Sequence, residues 1–235
     1  YRLVGSQSYF DRREVKDILA FLKVLINPDD DISLLRIANV PARGLSAKTM
    51  QTLLQLSQDR NTSVWSVMHH SDLDTHLRAA ASKSSRAFVS LIEDQRRFLK
   101  EENKMGLAHW ARSFLDHIGY FTELKHSEKD PKIAENRMQS AQELVSSIDS
   151  LTASMGSVKG EDRLNQFLEE IALDQDRLDE KDKQGEGVTL ITMHSCKGLE
   201  YPHVHIVGLE QGLLPHTRSI DEGSLDEERR LFYVA

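Results

Sequence analysis

The densest concentration of chemistry in the chain is Thr189-Leu-Ile-Thr192-Met-His194-Ser-Cys-Lys197-Gly198-Leu-Glu200-Tyr-Pro202. The run Val188–Met193 that leads into it is apolar on both alternating faces, the pattern of a parallel strand buried on both sides. Such a strand delivers His194, Lys197 and Glu200 into the loop at its C-terminal end, where open α/β sheets keep their ligand crevice. Lys197 can neutralise a phosphate. Gly198 allows backbone to approach closely, and Glu200 can accept from a ribose hydroxyl. Together these residues suit a nucleotide or a nucleic-acid backbone. The competing reading is a solvated Lys-Gly turn, a common way for a chain to leave a strand.

A second cluster is Val40-Pro-Ala-Arg43-Gly44-Leu45-Ser46-Ala-Lys48-Thr49. Free amides at a helix N-terminus, Ser46 as a cap, and Arg43 and Lys48 nearby would suit a phosphate. An ordinary turn between two helices explains the same residues. His194, Cys196, His203 and His205 lie close in sequence, but their spacing matches no familiar zinc site, and no metal is expected. Cys196 has no assignable base and is not read as a nucleophile. Trp65 and Trp110 fall among apolar helical positions and belong to the core.

The elements that must position these residues follow from periodicity. Val15, Ile18, Leu19, Leu22, Leu25 and Ile26 recur at helical spacing, which predicts an amphipathic helix over about 12–26. Asn27-Pro28-Asp-Asp-Asp31 breaks it. A short helix is expected near Ile32–Ala38 and another from Ala47 to Gln58. The pattern then stays helical almost to Leu178, with Leu164, Phe167, Leu168 and Ile171 forming one stripe. Asp174–Gly187, dense in charge and holding two glycines, reads as a linker. After it come the strand at Val188–Met193 and a second short strand at His203–Val207. Ser224-Leu-Asp-Glu227 reads as a capping box opening a final helix. The expected fold is mostly α with a small α/β part at the two ends.

The chain has 235 residues, 39% hydrophobic and 29% charged, enough to bury a core. Its net charge of -7 excludes indiscriminate nucleic-acid binding, so any such contact must come from local basic patches. The single cysteine rules out an internal disulfide and fits a reducing, cytoplasmic setting. No apolar run approaches the roughly 18 residues of a membrane span, and no membrane association is expected. The chain opens inside an apparent strand and stops inside an apparent helix, which reads as a piece of a longer protein.

The stretch from Thr192 to Tyr201 resembles motif V of superfamily 1 DNA helicases of the UvrD, Rep and PcrA type, whose pattern is close to T-x-H-x-x-K-G-L-E-F/Y. Two further stretches agree in order. Asp226-Glu-Glu-Arg229-Arg230-Leu-Phe-Tyr-Val-Ala235 resembles the start of motif VI. Tyr1-Arg-Leu-Val-Gly5 with Phe10-Asp-Arg-Arg-Glu14-Val-Lys-Asp17 resembles motif IVa, with Gly5-Ser6 where the family usually has Gly-Gly. The resemblance implies that Thr192, His194 and Lys197 contact single-stranded DNA and that Glu200 holds the ribose of ATP. It implies a helical domain, 2B, over 30–183, inserted into a RecA-like domain, 2A, of which 1–29 and 184–235 are parts. The family's 2B carries a Gly-Ile-Gly element that touches duplex DNA. Here that element maps to Arg43, Gly44, Leu45, Ser46, Lys48 and Thr49, with Ser46 in place of the second glycine.

By that resemblance the intact protein is an ATP-dependent helicase moving 3′ to 5′. It would use ATP and Mg²⁺ between this part of 2A and an N-terminal RecA-like domain, with junction DNA and repair or replication proteins as partners. No G-x-x-x-x-G-K-[S/T] phosphate loop occurs in the 235 residues, so the chain alone is expected to bind no nucleotide and to be inactive. Arg229 and Arg230 precede the motif VI arginine that meets the γ-phosphate and are read as surface or interdomain ion-pair residues. Two rival readings are a non-catalytic helical DNA-binding or docking module and a piece of a helicase–nuclease of the RecB/AddA kind.

Overall fold

The computed structural model describes residues 2–4, 9–101, 106–152, 159–183, 188–196 and 198–234. In chain order the elements are β1 (Arg2–Val4), a 3-10 turn (Tyr9–Asp11), α1 (Arg13–Ile26), α2 (Asp31–Ile37), α3 (Ala47–Arg60), α4 (Val64–His69), α5 (Leu73–His76) and α6 (Ala79–Glu101). Then follow α7 (Leu107–His117), α8 (Tyr120–His126), α9 (Pro131–Thr152), α10 (Gly160–Lys183), β2 (Thr189–Ile191), α11 (Thr217–Asp221) and α12 (Leu225–Val234). The fold is mostly α, with one parallel strand pair. By packing it forms two compact units, Ser8–Asp176 and Tyr1–Gln7 with Arg177–Ala235.

The larger unit is built around α1. Its apolar positions Val15, Ile18, Phe21, Leu22, Val24 and Leu25 are essentially fully buried, so the helix forms because three neighbours, α2, α6 and α9, cover it on several sides. Phe21 meets Phe114 and Tyr120 edge-on, at centroid distances of 5.7 and 6.1 Å. Trp110 stacks on Phe114 at 6.0 Å and donates its indole N–H to Gln95 Oε1 at 3.0 Å. Both tryptophans are core residues, as their helical spacing indicated.

Two acidic groups share this core. Glu14 and Asp17 sit one turn apart on α1, 3% and 2% exposed. Asp17 accepts from Arg36 Nε at 2.7 Å and from the buried Tyr120 hydroxyl at 3.1 Å, and Arg13 Nε stands 3.6 Å away. Arg137 lies 3.9 Å from Glu14 and pairs with Glu128 at 2.6 Å. Buried charges persist only when paired and hydrogen-bonded in this way. Burial first, and the Asp17 charge second, push the Tyr120 phenol well above its ordinary pKa.

Helix boundaries follow side-chain caps. The α1 helix stops at Asn27-Pro28, and Asp30 then caps α2, accepting from the Ser33 amide at 3.1 Å and its hydroxyl at 2.6 Å. The hydroxyl of Ser63 caps α4, accepting from the Ser66 amide at 3.1 Å.

In the smaller unit β1 and β2 pair in parallel, Arg2 opposite Thr189, Leu3 opposite Leu190 and Val4 opposite Ile191. Four expectations change here. The strand is not buried on both faces: Val188 and Leu190 are 69% and 47% exposed, and β1 is its sole ladder partner among the described residues. His203–Val207 is not a strand: it has no ladder partner among the described residues, and Val204 and Val207 are exposed. The charge-rich segment from Asp174 is helical to Lys183, being composed largely of good helix formers; residues 184–187 of the expected linker lie outside the described residues. The capping box does not close. The Ser224 hydroxyl donates to the Ser219 carbonyl at 3.4 Å, which also takes the Ser224 amide at 2.9 Å, while the Ser219 hydroxyl donates to Glu228 at 2.6 Å.

Candidate nucleic-acid interface

The first candidate loop begins where β2 ends. Thr192 carries a compact turn: its carbonyl accepts from the amides of Ser195 at 2.9 Å and Cys196 at 3.1 Å, and its hydroxyl donates to Ser195 Oγ at 2.9 Å. A second turn follows as the Leu199 amide donates to the Cys196 carbonyl at 2.9 Å. Gly198, at φ +84° with open space where a Cβ would stand, permits that reversal. The Cys196 thiol donates to the Met193 carbonyl at 2.9 Å, which makes it part of the turn. Thr192, His194 and Glu200 are each exposed in this loop, which follows the C-terminal end of a parallel strand. Lys197 and Gly5-Ser6 lie outside the described residues.

The second candidate loop joins α2 to α3 in the larger unit. Asn39 organises it, its side-chain oxygen accepting from the amides of Arg43 at 2.9 Å and Leu45 at 3.2 Å. Gly44 between them sits at φ +85°, where a Cβ would come within 2.7 Å of Ser84 Oγ. The Leu45 side chain is fully buried and anchors the loop to the core. Ser46 caps α3, accepting from the Thr49 amide at 3.3 Å; its hydroxyl lies 3.0 Å from the Thr49 hydroxyl, and Thr49 is buried. Gly44, Ser46 and Lys48 face solvent.

Arg43 does not. Its Nη2 donates to the Val40 carbonyl at 2.6 Å and its Nε to the Pro41 carbonyl at 3.1 Å. The guanidinium lies over Phe88 and Phe21, 5.0 and 5.8 Å from the ring centroids. Burial pulls its pKa down to about 10, so it remains a cation at neutral pH. Asn39 organises this candidate loop and is not singled out by the sequence reading. Its signal was an Asx side chain shortly before a Pro–Gly loop, the setting in which such side chains bind nearby amides.

By fold the chain is a mostly helical protein with a small parallel α/β part, and its polar loops stand at a strand end and at a helix N-terminus. The model of the UvrD-like helicase C-terminal domain matches residues 1–235. The chain is 35% identical over 240 residues to the ATP-dependent DNA helicase PcrA of Bacillus subtilis, an alignment covering 100% of this chain and 31% of that protein. It is 35% identical over 236 residues to the ATP-dependent DNA helicase Rep of Escherichia coli, covering 100% of this chain and 34% of that protein. It is 33% identical over 242 residues to PcrA of Staphylococcus aureus, again over its full length and 31% of the relative. The chain belongs to the UvrD-like helicase C-terminal domain family, and it spans about a third of the length of these relatives.

Proposed function

We propose that this chain is the DNA-handling part of an ATP-dependent DNA helicase that moves 3′ to 5′ along single strands and opens duplexes ahead of it. The observation that carries the reading is the loop Thr192–Glu200, whose sequence fits motif V and whose exposed residues stand at the end of a parallel strand. In this reading Thr192, His194 and Lys197 meet single-stranded DNA, and Glu200 accepts from the ribose of ATP. Gly44, Ser46 and Lys48 are the exposed residues of the element that meets duplex DNA, and buried Leu45 and Thr49 hold it in place. Residues 30–183 act as domain 2B, and 1–29 with 184–235 act as parts of domain 2A; α1, which this reading assigns to 2A, packs within the larger unit. The remaining partners are an N-terminal RecA-like domain and repair or replication proteins, and the location is the cytoplasm. Among the described residues no helix is long and apolar enough to cross a membrane.

The residues present fit only one end of the nucleotide. Glu200 is exposed, with no partner among the described residues, but the sequence lacks a phosphate loop, and no group of three His, Cys, Asp or Glu among the described residues stands close enough to hold Mg²⁺. Phosphoryl transfer depends on such positioning and charge neutralisation. A single ribose hydrogen bond contributes about 1–3 kcal/mol, too little to hold ATP. The chain alone therefore turns over no ATP. In the full-length protein Glu200→Ala raises the KM for ATP, while Lys197→Ala chiefly weakens DNA binding and DNA-stimulated turnover. Steady-state kinetics with and without single-stranded DNA test this. Two substitutions with the same effect on both substrates, or ATP hydrolysis by the chain alone, would overturn the reading.

A further inference from the structure

The α2–α3 loop has an inner and an outer side with different chemistry. On the inner side the Val40 and Pro41 carbonyls are taken by Arg43, and the Arg43 and Leu45 amides are taken by Asn39. On the outer side the amides of Gly44, Ser46, Ala47 and Lys48 have no partner among the described residues, and the Lys48 side chain is exposed. Both cations of the loop neighbour a helix N-terminus in sequence, but only one faces outward. To reach a phosphate, Arg43 would have to release two charge-assisted hydrogen bonds and two aromatic faces. It would also leave the Val40 and Pro41 carbonyls unbound. Its Nη1 is buried without a partner among the described residues, so the site holds the guanidinium by its other two donors and by the rings.

We propose that Arg43 is a positioning residue which clamps this loop from inside and touches no DNA, leaving Lys48 as the loop's phosphate-facing cation. The inference rests on the reading of the loop as a duplex-contacting element. Asn39 and Arg43 act as a pair: one fixes the loop's amides and the other its carbonyls, and the shape they impose turns the remaining amides outward. Lysine cannot replace Arg43, because a single ammonium on a flexible stem cannot reproduce a planar fork lying over two rings.

Salt dependence separates a phosphate contact from a clamp, since each neutralised phosphate adds about 0.9 to the slope of log affinity against log salt. The probe is a DNA hairpin with a 3′ single-stranded tail. Lys48→Ala lowers the slope by about one. Arg43→Gln and Arg43→Lys both lower affinity several-fold and leave the slope unchanged. A slope that falls in Arg43→Gln and is restored in Arg43→Lys would overturn the proposal. A measurement on the unsubstituted protein guards against variants that fail to fold: the Arg43 Nε–H, bonded to the Pro41 carbonyl, exchanges slowly with solvent before DNA is added. An Nε–H that exchanges freely would overturn the clamp. If Lys48→Ala leaves the slope untouched while the Nε–H stays protected, the DNA reading of the loop fails and the clamp stands.

Discussion

Replacing Asp17 by alanine removes a carboxylate that is 2% exposed and serves two donors. Tyr120 suffers first. Its hydroxyl is buried, and without Asp17 it keeps only a 3.4 Å contact to the Glu14 carbonyl, so most of an unsatisfied-group penalty of about 1–3 kcal/mol applies. Arg36 suffers less. Removing one partner of a fully buried ion pair costs about 3–5 kcal/mol, but the Arg36 side chain is 36% exposed and can turn its charge to water. Its share is therefore discounted to about 1 kcal/mol. The sum is about 3 kcal/mol, which in a domain of this size lowers the melting temperature by about 6–12 °C. Asp17→Asn keeps an acceptor and should lose about half as much. Thermal unfolding of Asp17→Ala, Tyr120→Phe and the double variant, analysed with the parent as a double-mutant cycle, gives an Asp17–Tyr120 coupling of about 1 kcal/mol. An alanine variant that melts within about a degree of the parent would refute the reasoning, because it would mean the desolvation of Asp17 cancels everything its partners return.

Two further perturbations read the same core and its attached loop. The Tyr120 phenol is held above its ordinary value near 10 in the native state. Above that pH the unfolded chain releases this proton and the native chain does not, so the contribution is complete below about pH 10 and is lost as pH rises further. Urea midpoints on either side of about pH 10 should fall less steeply in Tyr120→Phe than in the parent, and parallel slopes would count against burial as the cause. Gly44→Ala places a Cβ at φ +85° and within 2.7 Å of Ser84 Oγ. It should cost about 1–2 kcal/mol in chemical denaturation, and Ser84→Ala should relieve the steric share while leaving the backbone share in place.

The helical framework was legible because local signals and tertiary packing agree. The apolar spacing from Val15 to Leu25, the Asn27-Pro28 break and the Ser46 cap all stand where the sequence put them. Where sequence and structure part, neighbours rather than local pattern decide the conformation. Alternating residues at His203–Val207 supply a strand's faces but not the ladder partner a strand requires. Dense charge after Asp174 suggested a linker, yet glutamate, lysine, arginine and glutamine are good helix formers. The partners of Asp17 lie at Arg36 and Tyr120, and the rings under Arg43 at Phe21 and Phe88. No window of local sequence shows that these long side chains turn inward.

The bare strand pair bears on how the protein behaves in a tube. Among the described residues β1 and β2 pair only with each other and keep an open edge, and Val188 and Leu190 on the second strand's run are exposed. Open edges beside apolar surface are templates for adding another molecule's strand. When the chain is concentrated, self-association should therefore begin at this small sheet, where an open edge and apolar side chains occur together. A charge at Leu190, as in Leu190→Lys, should raise the concentration at which light scattering sets in; an unchanged onset would point to some other surface. For anyone producing this protein, the colloidal weak point is a pair of three-residue strands.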